Sequence, residues 1–178
     1  MLHQLACHPD TPAKSIDRVV VQLSTTQTPG ELWLEYHVAP SDELVLPAMA
    51  RPKRTDGLWK STCFELFAKP AGADAYFEFN FSPSFQWAAY AFDGYRSGMR
   101  NLDWRDPEII VTPEVPYFFL AVEAMPALPP VAMQVGLSAV IEEIDGTKSY
   151  WALRHPPGKP DFHHPDCFAL ELPAPERP

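Results

Sequence analysis

The chain has no apolar run approaching the ~20 residues that span a bilayer as a helix. Its first fifteen residues, MLHQLACHPDTPAKS, lack a basic segment followed by an apolar stretch. A soluble domain in the cytoplasm is therefore expected. Cysteine is scarce and odd in number, with Cys7, Cys63 and Cys167 widely spaced and no CxxC. Neither a disulfide framework nor zinc-finger spacing is supported. Cationic charge is in deficit, since 14 Lys and Arg face 23 Asp and Glu for a net charge of −9. Such a surface disfavours nucleic acid and anionic membrane as partners. It leaves a neutral small molecule open.

Long proline-free stretches are also rare. Among 21 prolines, only 84–106 and 131–155 run beyond twenty residues without one, and each contains an Asp-Gly. Proline breaks helices and is excluded from central strand positions. Long helices have little room. At 178 residues the chain is the size of one domain. A single domain over 1–172 with a disordered tail at 173–178 is expected.

Within the punctuated segments the apolar residues recur with period two. Val19, Val21 and Leu23 alternate with Arg18, Gln22 and Ser24. Leu32, Leu34, Tyr36 and Val38 alternate with Glu31, Glu35 and His37. Val131 to Ile141 carries six apolar residues on one face. This pattern reads as half-buried strands. Further strands are expected over 62–68, 75–82, 85–92, 108–112, 117–124, 148–153 and 167–172. Asp145-Gly146 marks a hairpin and Asp93-Gly94 a second turn. Segments 40–61 and 154–166 read as long loops. The expected fold is all-β: an antiparallel two-sheet β-sandwich, of jelly-roll or immunoglobulin-like character.

The stretch 61–92, STCFELFAKPAGADAYFEFNFSPSFQWAAYAF, holds the most chemistry. Phe64 and Leu66 share one strand face, and Phe77, Phe79 and Phe81 another; these should meet the core. Symmetric closure of the KPAGAD loop sets Glu65 opposite Glu78. A turn around Ser82-Pro83-Ser84 sets Trp87 near Asn80. One sheet face would then carry Glu65, Glu78, Asn80 and Trp87, with room over Ala89 and Ala91. A register slip by two keeps these residues on one face; a slip by one does not. Opposed carboxylates repel unless a cation, a shared proton or a ligand's donors compensate. Arg96 follows a turn and is placed to balance them. An indole beside carboxylates and an amide suits a sugar, whose C–H faces stack while its hydroxyls hydrogen-bond.

The runs RPKRTDGLWKSTCFELF, YFEFNFSPSFQWAAYAF, YRSGM and SYWALRHPPGKPDFHHPDCFALEL resemble the DOMON-like domain proteins of bacteria. That superfamily includes DOMON domains and family 9 carbohydrate-binding modules. The resemblance spans roughly 45–172. It implies a β-sandwich of jelly-roll character that binds sugar or haem on a sheet face. In the sugar-binding branch a Trp stands six residues before a Glu, the spacing of Trp59 and Glu65. A second Trp completes the sugar sandwich there; Trp151, preceded by Lys148, is its nearest counterpart. The haem branch uses Met and His ligands, for which Met99 and His155 are available.

Other arrangements carry less. His155, Asp161, His163 and His164 share one loop, but the adjacent histidines point to opposite sides of an extended chain, so no metal site is expected. No GxSxG marks a nucleophile. Trp33 sits on the polar side of its strand, and Trp104 reads as a loop anchor. The expected function is a non-catalytic module that binds a carbohydrate or related polar small molecule. Its expected site is Trp59, Glu65, Glu78, Asn80, Trp87, Arg96, Trp151 and His155. The alternatives are a haem or redox module, and a glycoside-acting enzyme using Glu65 and Glu78.

Overall fold

A computed structural model describes residues 1–25, 31–123 and 128–174. Most of the expected tail, 175–178, and the expected strand end at 124 lie outside these residues. The described residues form twelve strands: β1 (Leu2–Cys7), β2 (Arg18–Thr25), β3 (Leu32–Ala39), β4 (Cys63–Pro70), β5 (Tyr76–Phe81), β6 (Trp87–Phe92), β7 (Arg100–Asn101), β8 (Glu108–Glu114), β9 (Tyr117–Glu123), β10 (Met133–Glu142), β11 (Lys148–Ala152) and β12 (Leu170–Leu172). The only helical pieces among the described residues are two 3-10 turns, Leu58–Lys60 and Pro165–Cys167. None is long and apolar enough to cross a membrane.

The fold is all-β, as the alternation and the prolines imply. All strands join one antiparallel sheet in the order β7-β6-β5-β4-β10-β11-β1-β2-β3-β9-β8, with β12 on β10. This sheet curls into a half-barrel in place of the two separate sheets expected. The joint is β1. Its Leu2–Leu5 pairs with β2, and its Ala6 and Cys7 pair with β11. Sequence reading misses β1 because only Leu5 of its six residues is buried, which leaves no alternation to detect.

The curl brings the apolar faces of the two halves together. Phe64 of β4 packs on Tyr36 of β3 at 4.9 Å and stacks on Phe118 of β9 at 5.7 Å between ring centroids. The buried Tyr36 hydroxyl donates to the Glu65 carbonyl at 2.7 Å, which satisfies its polar end inside the core. The expected hairpin at Asp145-Gly146 forms, with Gly146 at φ 85°, a left-handed position that glycine occupies without strain.

The outer face of β4, β5, β6 and β10 is also covered. Phe67, Tyr76, Tyr90, Phe92, Phe162 and Phe168 form a second apolar cluster there, under the segment that follows β11. Gly136 permits this cover. A Cβ at that position would meet the Cys167 carbonyl oxygen at 3.0 Å. Burial on both faces explains why WAAYAF in β6 is apolar throughout.

Candidate functional site

The second cover is incomplete, and a cavity of about 1090 Å³ opens between it and the sheet. Its floor comes from the outer face: Glu65 of β4, Glu78 of β5, Tyr90 of β6, Val140 of β10 and Tyr150 of β11. Its walls come from residues 56–60 with Trp59, from Arg96 and Met99, and from residues 159–163. Small-molecule sites typically enclose about 300–1,000 Å³.

Register decides which side chains meet on the floor. In the β4–β5 hairpin Phe64 pairs with Phe81, Glu65 with Asn80 and Phe67 with Glu78. Relative to the symmetric closure this is a slip of two residues, so Glu65, Glu78 and Asn80 keep a common face. The two acids are diagonal neighbours and not directly opposed. On the other side of β4, Ser138 of β10 pairs with Glu65.

Both acids are deeply buried, with Glu65 3% and Glu78 6% exposed. The Asn80 amide donates to Glu78 Oε1 at 2.8 Å. No described side chain hydrogen-bonds the Glu65 carboxyl, which borders the cavity. Burial, and then the neighbouring charge of Glu78, pushes the Glu65 carboxyl well above the usual carboxylate range. Burial raises Glu78 to about 7, against the Asn80 hydrogen bond and the Arg96 charge, which pull it down.

The wall facing Glu78 is a linked polar group. Tyr76 Oη lies 2.8 Å from His163 Nδ1. The Arg96 backbone N–H donates to Tyr76 Oη at 3.2 Å. Arg96 pairs with Asp161 at 2.7 Å, and Tyr95 donates to the same carboxylate. Burial, with the Arg96 charge second, lowers the His163 imidazole to about 4, while Asp161 opposes the shift. His163 Nε2 stands 3.7 Å from Glu78 Oε2, outside hydrogen-bond range. On the opposite wall Tyr90 donates to Asp56 at 2.6 Å, and Arg54 donates to Asp56 at 2.8 Å. Trp59 stands 51% exposed at the cavity, with Lys60 Nζ 5.9 Å from its ring centroid.

Four of the eight expected residues line this one cavity: Trp59, Glu65, Glu78 and Arg96. Asn80 sits beside them, 1% exposed, with its Oδ1 buried and unpaired. Three residues are placed elsewhere. Trp87 lies in the core face, 3% exposed, and its indole donates to Asp106 at 2.9 Å. The cause is a one-residue slip in the β5–β6 hairpin, where Trp87 pairs with Phe81 and Ala88 with Asn80. The loop there is three residues long and ends on Phe85 at φ 69°. That left-handed position is usually signalled by glycine, so a Phe hides it. The slip turns Trp87, Ala89 and Ala91 toward the core and brings Tyr90 and Phe92 to the acids.

Trp151 is likewise in the core, where its indole donates to Ser149 Oγ at 2.9 Å. Its neighbour Tyr150 faces the cavity instead. His155 lies against β1, with Nε2 2.8 Å from the Ala6 carbonyl and its ring 4.8 Å from His8. Met99 borders the cavity, whereas His155 does not line it and has its Nε2 at the Ala6 carbonyl. Among the described residues no three His, Cys, Asp or Glu side chains converge to hold a metal ion. Trp104 anchors its loop by packing edge-on against Phe79 and Trp87, at 5.3 and 5.1 Å. Residues of the lining that were not expected in the site include Tyr90, Tyr150, Phe162 and His163, the last weighed in the sequence only as a metal ligand. Correct parity in β6 would have found Tyr90; no local signal marks the others.

The chain matches no protein-family model and no curated protein. A solved structure of similar fold is that of a candidate carbohydrate-binding protein from Bacteroides uniformis. It superposes with a TM-score of 0.64 at 15% sequence identity, over 94% of this chain and 83% of the other. At that identity the likeness shows the shared fold.

Proposed function

We propose that this chain is a non-catalytic module that binds a carbohydrate or a related polar small molecule in the cavity above β4 and β5. The observation that carries this reading is the Glu65 carboxyl: 3% exposed, without a hydrogen-bond partner among the described residues, and bordering open space. Burying such a group unpaired costs free energy, and a ligand that brings hydrogen-bond donors recovers it. Asn80 and Glu78 extend the polar floor. Trp59, Tyr90 and Tyr150 supply ring surface for sugar C–H faces. The Bacteroides protein, candidate carbohydrate binder of similar fold, supports the same class of ligand. The resemblance to DOMON-like proteins supports it independently through the Trp59 and Glu65 spacing.

Calorimetric titration with a panel of neutral mono- and oligosaccharides tests this. At least one should bind, and Glu65→Ala should abolish the signal while far-UV circular dichroism stays unchanged. Undiminished affinity in Glu65→Ala removes the proposed role.

One observation favours a second reading, glycoside hydrolysis. Glu78 sits at about 7, where a carboxyl can act as a general acid. Diagonal residues on neighbouring strands lie about 7–8 Å apart. Carboxyls about 6.5–9.5 Å apart suit an inverting mechanism. Turnover of aryl glycosides that disappears in Glu78→Gln would favour this reading over simple binding.

A further inference from the structure

The unmatched polar capacity around the acid pair is almost all of one kind. Among the described residues the Glu65 carboxyl has no hydrogen-bond partner, and Glu78 Oε2 has none within hydrogen-bond range. The Asn80 Oδ1 is buried and unpaired, directly across from Glu65. Asn80 Oδ1 and Glu78 Oε2 accept hydrogen bonds, and the Glu65 carboxyl does so at both oxygens once it has lost its proton. The Ser138 hydroxyl, also buried and unpaired, can accept or donate.

No described lysine or arginine, Lys159 of the cavity lining included, pairs directly with either acid, although the Arg96 charge pulls Glu78 down. Arg96 is engaged with Asp161 at 2.7 Å. Lys60 lies over Trp59. His163 is neutral and uses Nδ1 on Tyr76. The cavity lining as a whole carries five carboxylates against three lysine and arginine side chains.

We propose that the ligand of this cavity carries a protonated amine, as an amino sugar does, and that Glu65 and Glu78 receive it together. This rests on the carbohydrate-binding reading for the sugar frame and adds the charge. An alkylammonium offers three donors and no acceptor, which complements a site whose unmatched groups accept. Its charge also lets both acids ionise side by side in a dry site, which a neutral hydroxyl cannot do. The groups facing the pair are Cys63 from β4, Tyr76 and Asn80 from β5, Ser138 from β10, Tyr90 from β6, and Arg96, Asp161 and His163 from the wall, with Lys60 and Lys159 also lining the cavity; burial raises Cys63, Tyr76 and Tyr90, which stay neutral. Of these, His163 is already neutral above pH 6, and Arg96 and Asp161 keep their charges there. The proton linked to binding is therefore the one held by the acid pair, and it leaves to solvent when the ammonium enters.

The test compares each neutral sugar of the panel with its amino-deoxy counterpart, such as glucose with 6-amino-6-deoxyglucose, by calorimetry at pH 6, 7 and 8. Two buffers of different ionisation enthalpy count the protons released. The amino sugar should bind at least about tenfold tighter at pH 8. Its affinity should rise with pH from 6 to 8, by up to about tenfold per pH unit for each proton released, with proton release seen in both buffers. In the Glu65→Gln, Glu78→Gln double variant, folded by circular dichroism, that preference should vanish. Neutral sugars that bind as tightly as their amino counterparts overturn this inference and leave the carbohydrate reading standing. Silence from both series overturns both. An amine preference that survives in the double variant shows that other groups receive the charge and also overturns it.

Discussion

Replacing Glu78 by Gln should stabilise the protein at pH 8 and leave it little changed at pH 4.5. The Glu78 carboxyl is raised by burial from an ordinary value of 4.5 to about 7 in the folded chain. The folded state therefore holds its proton more tightly than the unfolded state does. The stability this contributes is fully present below pH 4.5 and is lost as pH rises through about 7. A gap of about 2.5 pH units is worth about 3 kcal/mol at roughly 1.4 kcal/mol per unit. The amide introduced by Glu78→Gln carries no charge to desolvate and can still accept from Asn80, so the variant escapes this loss. Relief of Glu65, whose raised value owes its second cause to Glu78, adds in the same direction.

The wild-type profile alone hides the effect. His163 is lowered by burial from 6.5 to about 4, so its penalty acts in the opposite sense over nearly the same window. Its contribution grows as pH rises from about 4 to 6.5. The two nearly cancel, and only the difference between wild type and Glu78→Gln isolates the acid. Urea denaturation at half-unit steps from pH 4.5 to 8 measures it. The difference should open by about 3 kcal/mol toward pH 8, equivalent to roughly 6–12 °C in melting temperature at about 2–4 °C per kcal/mol for a domain of this size. A difference that stays flat with pH would mean that Glu78 is hydrated in solution, and would refute the buried acid pair.

The remaining predictions concern the frame of the site. Glu143, 2% exposed, accepts the backbone N–H groups of Lys14 and Ser15 at 2.9 and 2.7 Å, so Glu143→Ala should cost about 3 kcal/mol in urea denaturation and expose residues 10–15 to protease. Unchanged cleavage there would contradict the tether. Burial raises all three thiols, Cys167 to about 12, so a thiol reagent at pH 8 should label Cys63 and Cys167 only after unfolding, and partly exposed Cys7 sooner. Gly136→Val should cost about 1–3 kcal/mol and loosen the 165–167 turn, because the added Cβ meets a backbone oxygen at 3.0 Å; a rise in Cys167 labelling reports that loosening.

Much of the fold was legible because its signals are local. Period-two alternation in β2, β3 and β10, Asp145-Gly146 and the spacing of prolines each act over a few residues. The shared face of Glu65, Glu78 and Asn80 survived the true register because a slip of two preserves parity. Trp87 did not, because one left-handed Phe85 changes the loop from an even to an odd length and inverts the whole of β6. Trp151 and His155 shared a suggestive segment, yet a strand sends Tyr150 and Trp151 to opposite faces, and β1 claims His155 with the Ala6 carbonyl.

By itself the amino-acid order determined an all-β chain with a phenylalanine-rich layer and two acids on the reverse side, since side-chain alternation along a strand is a property of neighbouring residues. Only the tertiary structure decided that β1 would join the halves into one curled sheet, and that residues 56–60, 96–99 and 159–163 would close over the acids. Those segments are far apart in sequence, and the desolvation they impose is a sum over all of them. No single stretch of the chain carries it.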